Sequence, residues 1–128
     1  MNASQKNIDP ALEQTIKNYF EVIHAQDMEL FDQVFHKDCC LYSAQGGELV
    51  LRPYALYREQ VANRQSPQEL GNPRADQVLY IDQLSDTMAS AKLQLNMFGG
   101  VMQDYLNFVK IDNHWWVMAK LYEQVGTY

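Results

Sequence analysis

The carboxyl-terminal half of the chain places the strongest constraint on the fold. Between residues 74 and 124 it holds four segments rich in apolar residues, separated by short turn signals of types that favour two-residue hairpins. These signals are Ser85-Asp86, Gly99-Gly100 and Asp112-Asn113. The pattern predicts a meander of long antiparallel strands, whose apolar surface other parts of the chain must cover.

The amino-terminal half carries helix signals that can supply this cover. Asp9 followed by Pro10 is a favourable helix start, and apolar residues at helical spacing predict a helix ending near Ala25. Asp27 can cap a shorter second helix that runs through Phe35. These two helices precede nearly all of the predicted strands.

A third helix follows a pair of short strands. Residues 39–43 and 48–51 are predicted to pair across a turn at the two glycines 46 and 47, and Pro53 opens a helix over residues 53–64. The predicted class is therefore α+β, with helices packed on one face of a sheet. We expect a flexible arm over residues 1–8 and a single domain over residues 9–124.

Composition excludes several partners. The chain has 128 residues and a formal charge of −6, which disfavours nucleic acid and anionic membranes as partners. Its two cysteines, Cys39 and Cys40, are adjacent and unsuited to bridging each other, so a reducing, cytoplasmic location is expected. No apolar run is long enough for a membrane span.

The predicted turns fix a strand register. With Gly99-Gly100 as a turn, Lys92 lies opposite Asn107, and with Asp112-Asn113 as a turn, Tyr105 lies opposite Lys120. Side chains alternate between the two faces of a sheet, so one face is predicted to be almost wholly apolar and the other to be mixed. The apolar face contains Ala91, Leu93, Leu95, Leu106, Phe108, Trp115, Val117, Ala119 and Leu121. The mixed face contains Lys92, Gln94, Tyr105, Asn107, Val109, Trp116, Met118, Lys120 and Tyr122.

Neither face has the polar character of a sheet exposed to water. We expect the apolar face to bind a second copy of the chain, giving a homodimer. The mixed face would then lie under the helices and enclose a cavity with apolar walls and a few polar groups, as small-molecule sites do. Two lysines there favour an anionic ligand, although both could instead extend to water along their stems. The predicted ligand-binding residues on the sheet are Lys92, Tyr105, Asn107, Trp116, Met118 and Lys120.

Residues 19–43, "YFEVIHAQDMELFDQVFHKDCCLYS", resemble the nuclear transport factor 2-like superfamily, which includes steroid isomerases and polyketide cyclase-like proteins. The segment "DYLNFVKIDNHWWVMAKLYE" is similar to that superfamily's closing hairpin. Within the superfamily, the chain is most similar to the branch labelled for lumazine binding. The resemblance covers residues 8–123 and implies a cone: a curved sheet wrapped around three helices, with a deep pocket and frequent dimers through the convex face.

The steroid isomerase branch implies roles for three positions. Its helix-one tyrosine falls on Tyr19, its hydrogen-bonding acid on Asn107 and its catalytic base on Ser43. Serine is not a base at neutral pH, which counts against isomerase activity by that route. Tyr19 remains a candidate for ligand binding and for catalysis.

Other candidate chemistry is weaker. Asp104 is predicted to face the dimer side, paired with Arg74 or Lys110; a slip of the register would make it a catalytic base candidate in the pocket. Neither a metal nor another cofactor is predicted, because Cys39 and Cys40 point to opposite faces and cannot converge on one ion. We therefore expect a small-molecule-binding protein. The alternatives are an isomerase, dehydratase or cyclase that uses the same pocket, and a pure interaction module.

Overall fold

The structure, a computed structural model, describes residues 8–128. It has three helices and six strands in the order that the sequence predicts, and the last strand continues three residues past the predicted end at residue 124. Of the predicted arm, residues 1–7 lie outside the described residues, and Ile8 packs against the core. The elements are α1 Pro10–Ala25, α2 Met28–Val34, β1 Phe35–Ser43, β2 Val50–Pro53, α3 Tyr54–Asn63, β3 Gln77–Gln83, β4 Met88–Met97, β5 Gly100–Ile111 and β6 His114–Thr127.

Asp9 links the first helix to the sheet. Its side chain caps α1 by accepting the Ala11 N–H at 2.9 Å. The other carboxylate oxygen accepts the indole N–H of Trp115 at 3.0 Å and lies 3.1 Å from Lys110 Nζ. The Trp115 hydrogen bond, followed by the helix cap, lowers the pKa of Asp9 from its ordinary value of 3.8. One carboxylate therefore fixes the start of α1 against the last two strands.

The six strands form one curved, open sheet in the order β2-β1-β6-β5-β4-β3. Only β1 and β6 pair in parallel; the remaining neighbours are antiparallel. The helices cover one face, and a single apolar cluster fills the space between helices and sheet. The α+β architecture predicted from the sequence is confirmed.

The predicted strand register is wrong at two places. The turn between β4 and β5 is made by Phe98 and Gly99, so Lys92 lies opposite Tyr105 and not Asn107. In β6, Asn107 pairs with Ala119 while Phe108 pairs with Val117, which leaves Met118 as an extra residue in a β-bulge. The Asp112-Asn113 turn forms as predicted, with both residues at positive φ.

The faces of β4 and β5 are also assigned the wrong way round. The side chains that the sequence assigned to a dimer interface are buried under the helices, among them Leu93, Leu106 and Phe108. Tyr105 and Asn107 point to the outer face and are exposed. Moving the turn by one residue changes each cross-strand partner by two positions, which keeps the same residues together on one face, so the error lies in which face the helices cover. In β6 the bulge keeps both Val117 and Lys120 on the inner side, although they are three positions apart.

Candidate functional site

Asp104 and Tyr19 form a buried polar pair inside the cone. Asp104 lies on β5 and is 2% exposed, and Tyr19 lies on α1 with no exposed surface. The Tyr19 hydroxyl donates a hydrogen bond to Asp104 Oδ2. Burial first, and the nearby Asp104 charge second, raise the pKa of the Tyr19 phenol well above its ordinary value of 10.0. Tyr19 is therefore a hydrogen-bond donor at any physiological pH.

Lys120 completes this cluster. It is 5% exposed, and its Nζ lies 3.9 Å from Asp104 Oδ2. Three aromatic rings surround the ammonium group, with centroids at 5.2 Å for Tyr19, 5.5 Å for Tyr57 and 5.4 Å for Tyr122. Cation–π attraction and the nearby carboxylate both stabilise the buried ammonium group.

Two arginines lie near the same cluster. Arg52 on β2 donates from Nη1 to the Tyr122 hydroxyl at 2.8 Å. Arg64, just after α3, donates from Nε to Gln26 Oε1 at 2.9 Å, and its guanidinium lies 5.2 Å from the centre of the Phe98 ring. A cavity of about 30 Å³ lies between these groups and the apolar wall. Its lining consists of Ile23, Leu41, Arg52, Tyr57, Arg64, Leu95, Met97, Met102, Asp104, Lys120 and Tyr122.

A second, larger depression of about 470 Å³ involves the opposite side of the sheet. Tyr105 and Leu121 are each 47% exposed and form part of it. Lys92 also contributes, with its Nζ 5.5 Å from the centre of the Tyr105 ring. The full lining is Tyr42, Ser43, Ala44, Leu49, Lys92, Gln103, Asp104, Tyr105, Leu121, Tyr122, Glu123 and Val125. The protein thus has a tight charged interior and an open, mainly apolar outer groove.

The structure separates the predicted site residues into two groups. Tyr19 and Lys120 lie in the interior, as predicted. Lys92, Tyr105 and Asn107 do not share that space, because they lie on the face of the sheet that the helices leave uncovered. Asn107 there accepts a hydrogen bond from Ser90 Oγ at 2.8 Å. Their predicted orientation toward the interior is therefore wrong.

Trp116 and Met118 also differ from the prediction. Trp116 is half-buried outside the core, between the imidazoles of His36 and His114, whose ring centroids lie 5.4 Å and 4.2 Å away. Met118 is the bulge residue of β6. Neither lines the interior cavity, because the inward positions of β6 are held by Trp115, Val117 and Lys120.

Asp104 lies inside the cone, which the sequence predicted only as the alternative to a place on the dimer side. The expected pairing with Arg74 or Lys110 is wrong, since Arg74 bonds Glu21 and Asp76, and Lys110 bonds Asp9. The resemblance placed a hydrogen-bonding acid at Asn107, whereas the group that Tyr19 reaches is Asp104.

Four residues that line the cavity were not among the predicted ligand-binding residues: Arg52, Tyr57, Arg64 and Tyr122. Tyr122 was placed on the mixed face of the sheet but was not assigned to the site. Arg52 carried a usable signal, because it is the single charged residue in a short apolar strand. Arg64 carried none, since a charged residue at a helix end is ordinarily solvated.

The cysteines and histidines give no sign of a metal site. Cys39 is buried and Cys40 is half-buried on the next position of β1. Burial, followed by the neighbouring Cys40, raises the pKa of the Cys39 thiol to about 12, so this thiol is a poor nucleophile. Within residues 8–128, no three His, Cys, Asp or Glu side chains converge in a way that would hold a metal.

Comparison with solved structures defines the class of protein as a nuclear transport factor 2-like cone fold. An NTF2-like protein of unknown function from Shewanella baltica OS155 superposes with a TM-score of 0.79 at 19% identity, covering 94% of this chain and all (100%) of that one. An NTF2-like protein of unknown function from Methylobacillus flagellatus KT superposes with a TM-score of 0.78 at 16% identity, covering 96% of this chain and 98% of that one. A cystatin-like fold protein from Burkholderia xenovorans LB400 gives 0.71 at 9% identity, covering 92% of each chain. At these identities the likeness establishes the fold alone.

The family follows from the sequence itself. The model of the family described as "Putative lumazine-binding" matches residues 7–123, and the chain belongs to that family. No protein of curated function matches the sequence. Among residues 8–128, none of the helices combines the length and apolar character that a membrane crossing requires.

Proposed function

We propose that the interior of the cone binds a small anionic molecule. The supporting observation is the charge of the cavity lining, which has three cationic side chains, Arg52, Arg64 and Lys120, and one carboxylate, Asp104. The whole chain carries a formal charge of −6, so the excess of positive charge in the cavity lining is opposite in sign to the net charge of the chain. A concave site with apolar walls and a few convergent polar groups is the usual form of a small-molecule site.

The cavity must widen to accept such a ligand. At about 30 Å³ it has space comparable to that of one water molecule. Met97 and Met102 form part of its wall, and methionine side chains are flexible enough to repack around a guest. We therefore expect binding to move these side chains and to leave the strands in place.

The test pairs an interior lysine with an outer one. Thermal shifts are measured against acetate, benzoate, inorganic phosphate and lumazine for the wild type, Lys120→Met and Lys92→Met. Each shift is taken relative to the variant's own midpoint, because Lys120→Met also leaves Asp104 without its cation. We expect anion-induced shifts in the wild type and Lys92→Met, and their loss in Lys120→Met. Unchanged shifts in Lys120→Met would contradict the proposal.

A second candidate function is an enzyme of isomerase, dehydratase or cyclase type. The observation that favours it is a carboxylate, Asp104, at the cavity wall with its hydrogen-bond donor Tyr19 in place. A general acid or base must lie within hydrogen-bond reach of the reacting proton, and Asp104 meets this requirement for a ligand in the cavity. Asp104→Asn keeps the shape and removes the acid. Retained turnover in that variant would exclude Asp104 as the catalytic group, whereas lost turnover with retained ligand binding supports the enzyme.

We also propose that the outer face of the sheet joins two copies of the chain. The lining of the apolar outer groove includes three exposed side chains, Tyr105, Leu121 and Val125. Exposed apolar groups that adjoin one another mark association surfaces. Leu121→Lys should give a monomer in sedimentation velocity, while Leu56→Lys, at an exposed leucine on α3, should leave the dimer intact. A monomeric wild type would overturn the proposal.

A further inference from the structure

Arg64 has a buried N–H group with no acceptor among the described residues. Its Nη2 atom is shielded from solvent and makes no hydrogen bond. The rest of the side chain is held in place, because Nε donates to Gln26 Oε1 at 2.9 Å. Gln26 is fixed in turn by donating to the carbonyls of Val61 and Arg64 at 2.9 and 2.8 Å. The guanidinium group is therefore held in one orientation, and one of its N–H donors has no acceptor among the described residues.

The other two interior cations are already engaged. Lys120 faces Asp104 and three aromatic rings, and Arg52 donates to the Tyr122 hydroxyl. Buried polar groups in proteins are nearly always hydrogen-bonded, so an unfilled donor beside a cavity indicates a missing acceptor. The planar fork of an arginine matches the two oxygens of a carboxylate.

Phe98 covers this arginine at a conformational cost. It lies in the β4–β5 turn with φ +52°, a region that bulky side chains rarely occupy and that Asn or Gly occupies easily. Phe98 is 43% exposed, and the centre of its ring lies 5.2 Å from the Arg64 guanidinium. Its backbone N–H donates to Asn72 Oδ1 at 2.7 Å, which fixes the turn against the loop after α3. A strained residue that is held in place by its surroundings is a reason to look for function.

We infer that Arg64 binds the carboxylate group of a small apolar carboxylic acid, and that the Phe98 ring is the lid over this contact. The inference rests on the proposed interior anion site and specifies its ligand class. The walls opposite Arg64 include Leu95, Met97 and Met102, which suit a short hydrocarbon or aromatic body. The ligand enters as the Phe98 ring leaves the guanidinium, and the ring returns once the carboxylate is paired.

The first experiment follows ligand binding by NMR in the full chain. Acetate and benzoate are titrated beside acetamide and benzamide, which match them in shape and lack the charge. We expect the Arg64 Nε–H signal to shift with the acids and not with the amides. Arg64→Gln should weaken benzoate binding about tenfold or more, since a charge-assisted pair is lost. Arg58→Gln, which removes an exposed arginine paired with Asp32, should leave it unchanged.

The second experiment separates the lid from the fold. Asn at position 98 tolerates the left-handed turn, so Phe98→Asn should be at least as heat-stable as the wild type. If the ring is a lid, this variant binds and releases benzoate at least several times faster. A merely structural Phe98 predicts unchanged exchange rates, and that result would overturn the lid.

The outcomes distinguish this inference from the proposal beneath it. If benzoate binds to the wild type and to Arg64→Gln but not to Lys120→Met, the proposed interior site is supported and the proposed role of Arg64 is wrong. If no acid shifts the Arg64 Nε–H signal in the wild type, the inference is overturned without any variant having to fold. If neither the acids nor inorganic phosphate affects any interior resonance, both are overturned.

Discussion

The inner and outer faces of the sheet come from the same strands and have opposite chemistry. Inside, Asp104, Lys120 and Tyr19 are buried and bonded to one another. Outside, Tyr105 and Leu121 stand exposed beside an open groove. A charged cluster thus lies within an otherwise apolar interior, while apolar side chains stand exposed on the outer face, and both features are uncommon. They motivate the two binding proposals, a small anion inside the cone and a second copy of the chain outside it.

The largest expected effect comes from breaking the interior cluster. Asp104→Ala leaves Lys120 as a buried charge without its anion and Tyr19 without its acceptor, which should cost about 3–5 kcal/mol of unfolding free energy. Glu123→Ala, an exposed carboxylate on β6, should change it by less than about 0.5 kcal/mol. Urea unfolding measures both. Equal effects would mean that the two faces do not differ as described.

Neighbouring residues on β5 test the faces directly. Leu106→Ala removes a fully buried side chain and should cost about 2–5 kcal/mol, whereas Asn107→Ala should cost about 0.5 kcal/mol or less. The assignment of faces predicted from the sequence requires Asn107 to be the interior residue of the two. Urea unfolding in which Asn107→Ala is the more damaging change would restore that assignment.

Acid should weaken the link between α1 and the sheet. The pKa of Asp9 is lowered in the folded state, so its contribution to stability is complete above its unfolded value of 3.8 and is lost as pH falls through the lower folded value. Asp9→Ala should cost about 2 kcal/mol at neutral pH and flatten the stability profile below pH 3.8. Asp27→Ala, which removes the cap of α2 alone, should cost about 1 kcal/mol. Equal losses of unfolding free energy in the two variants would show that the hydrogen bond from Trp115 to Asp9 contributes little to stability.

The reactivity of the two cysteines should report which side of β1 is buried. Cys40 is half-buried, whereas Cys39 is buried with its pKa raised to about 12. At neutral pH a thiol reagent should modify Cys40 in the native protein and Cys39 only after unfolding. Mass spectrometry of the Cys39→Ala and Cys40→Ala variants identifies the site. Native modification of Cys39 at the rate of Cys40 would contradict its placement.

The sequence allowed the fold to be predicted because its signals are local. The Asp9-Pro10 start and the Asp112-Asn113 turn form as predicted because caps and tight turns depend on a few adjacent residues. The site depended on which face of the sheet the helices cover and on the exact register, and no local signal sets either. Gly99-Gly100 was the predicted turn, yet the chain turns at Phe98 and Gly99, with a phenylalanine at a positive φ that propensity disfavours. This turn is accompanied by contacts with residues distant in sequence, the Asn72 side chain at the Phe98 N–H and Arg64 beneath the Phe98 ring.

The bulge at Met118 caused the second error and has a wider consequence. It places Lys120 inside the cone although Val117 is inside as well. If the strand kept all its residues and lost only the bulge, strict alternation from Val117 would turn the ammonium group out to water and bring Leu121 in, whereas removal of Met118 itself would leave Lys120 inside. The backbone conformation of one residue, and not the identity of any lining side chain, therefore decides whether this position of the interior is charged or apolar.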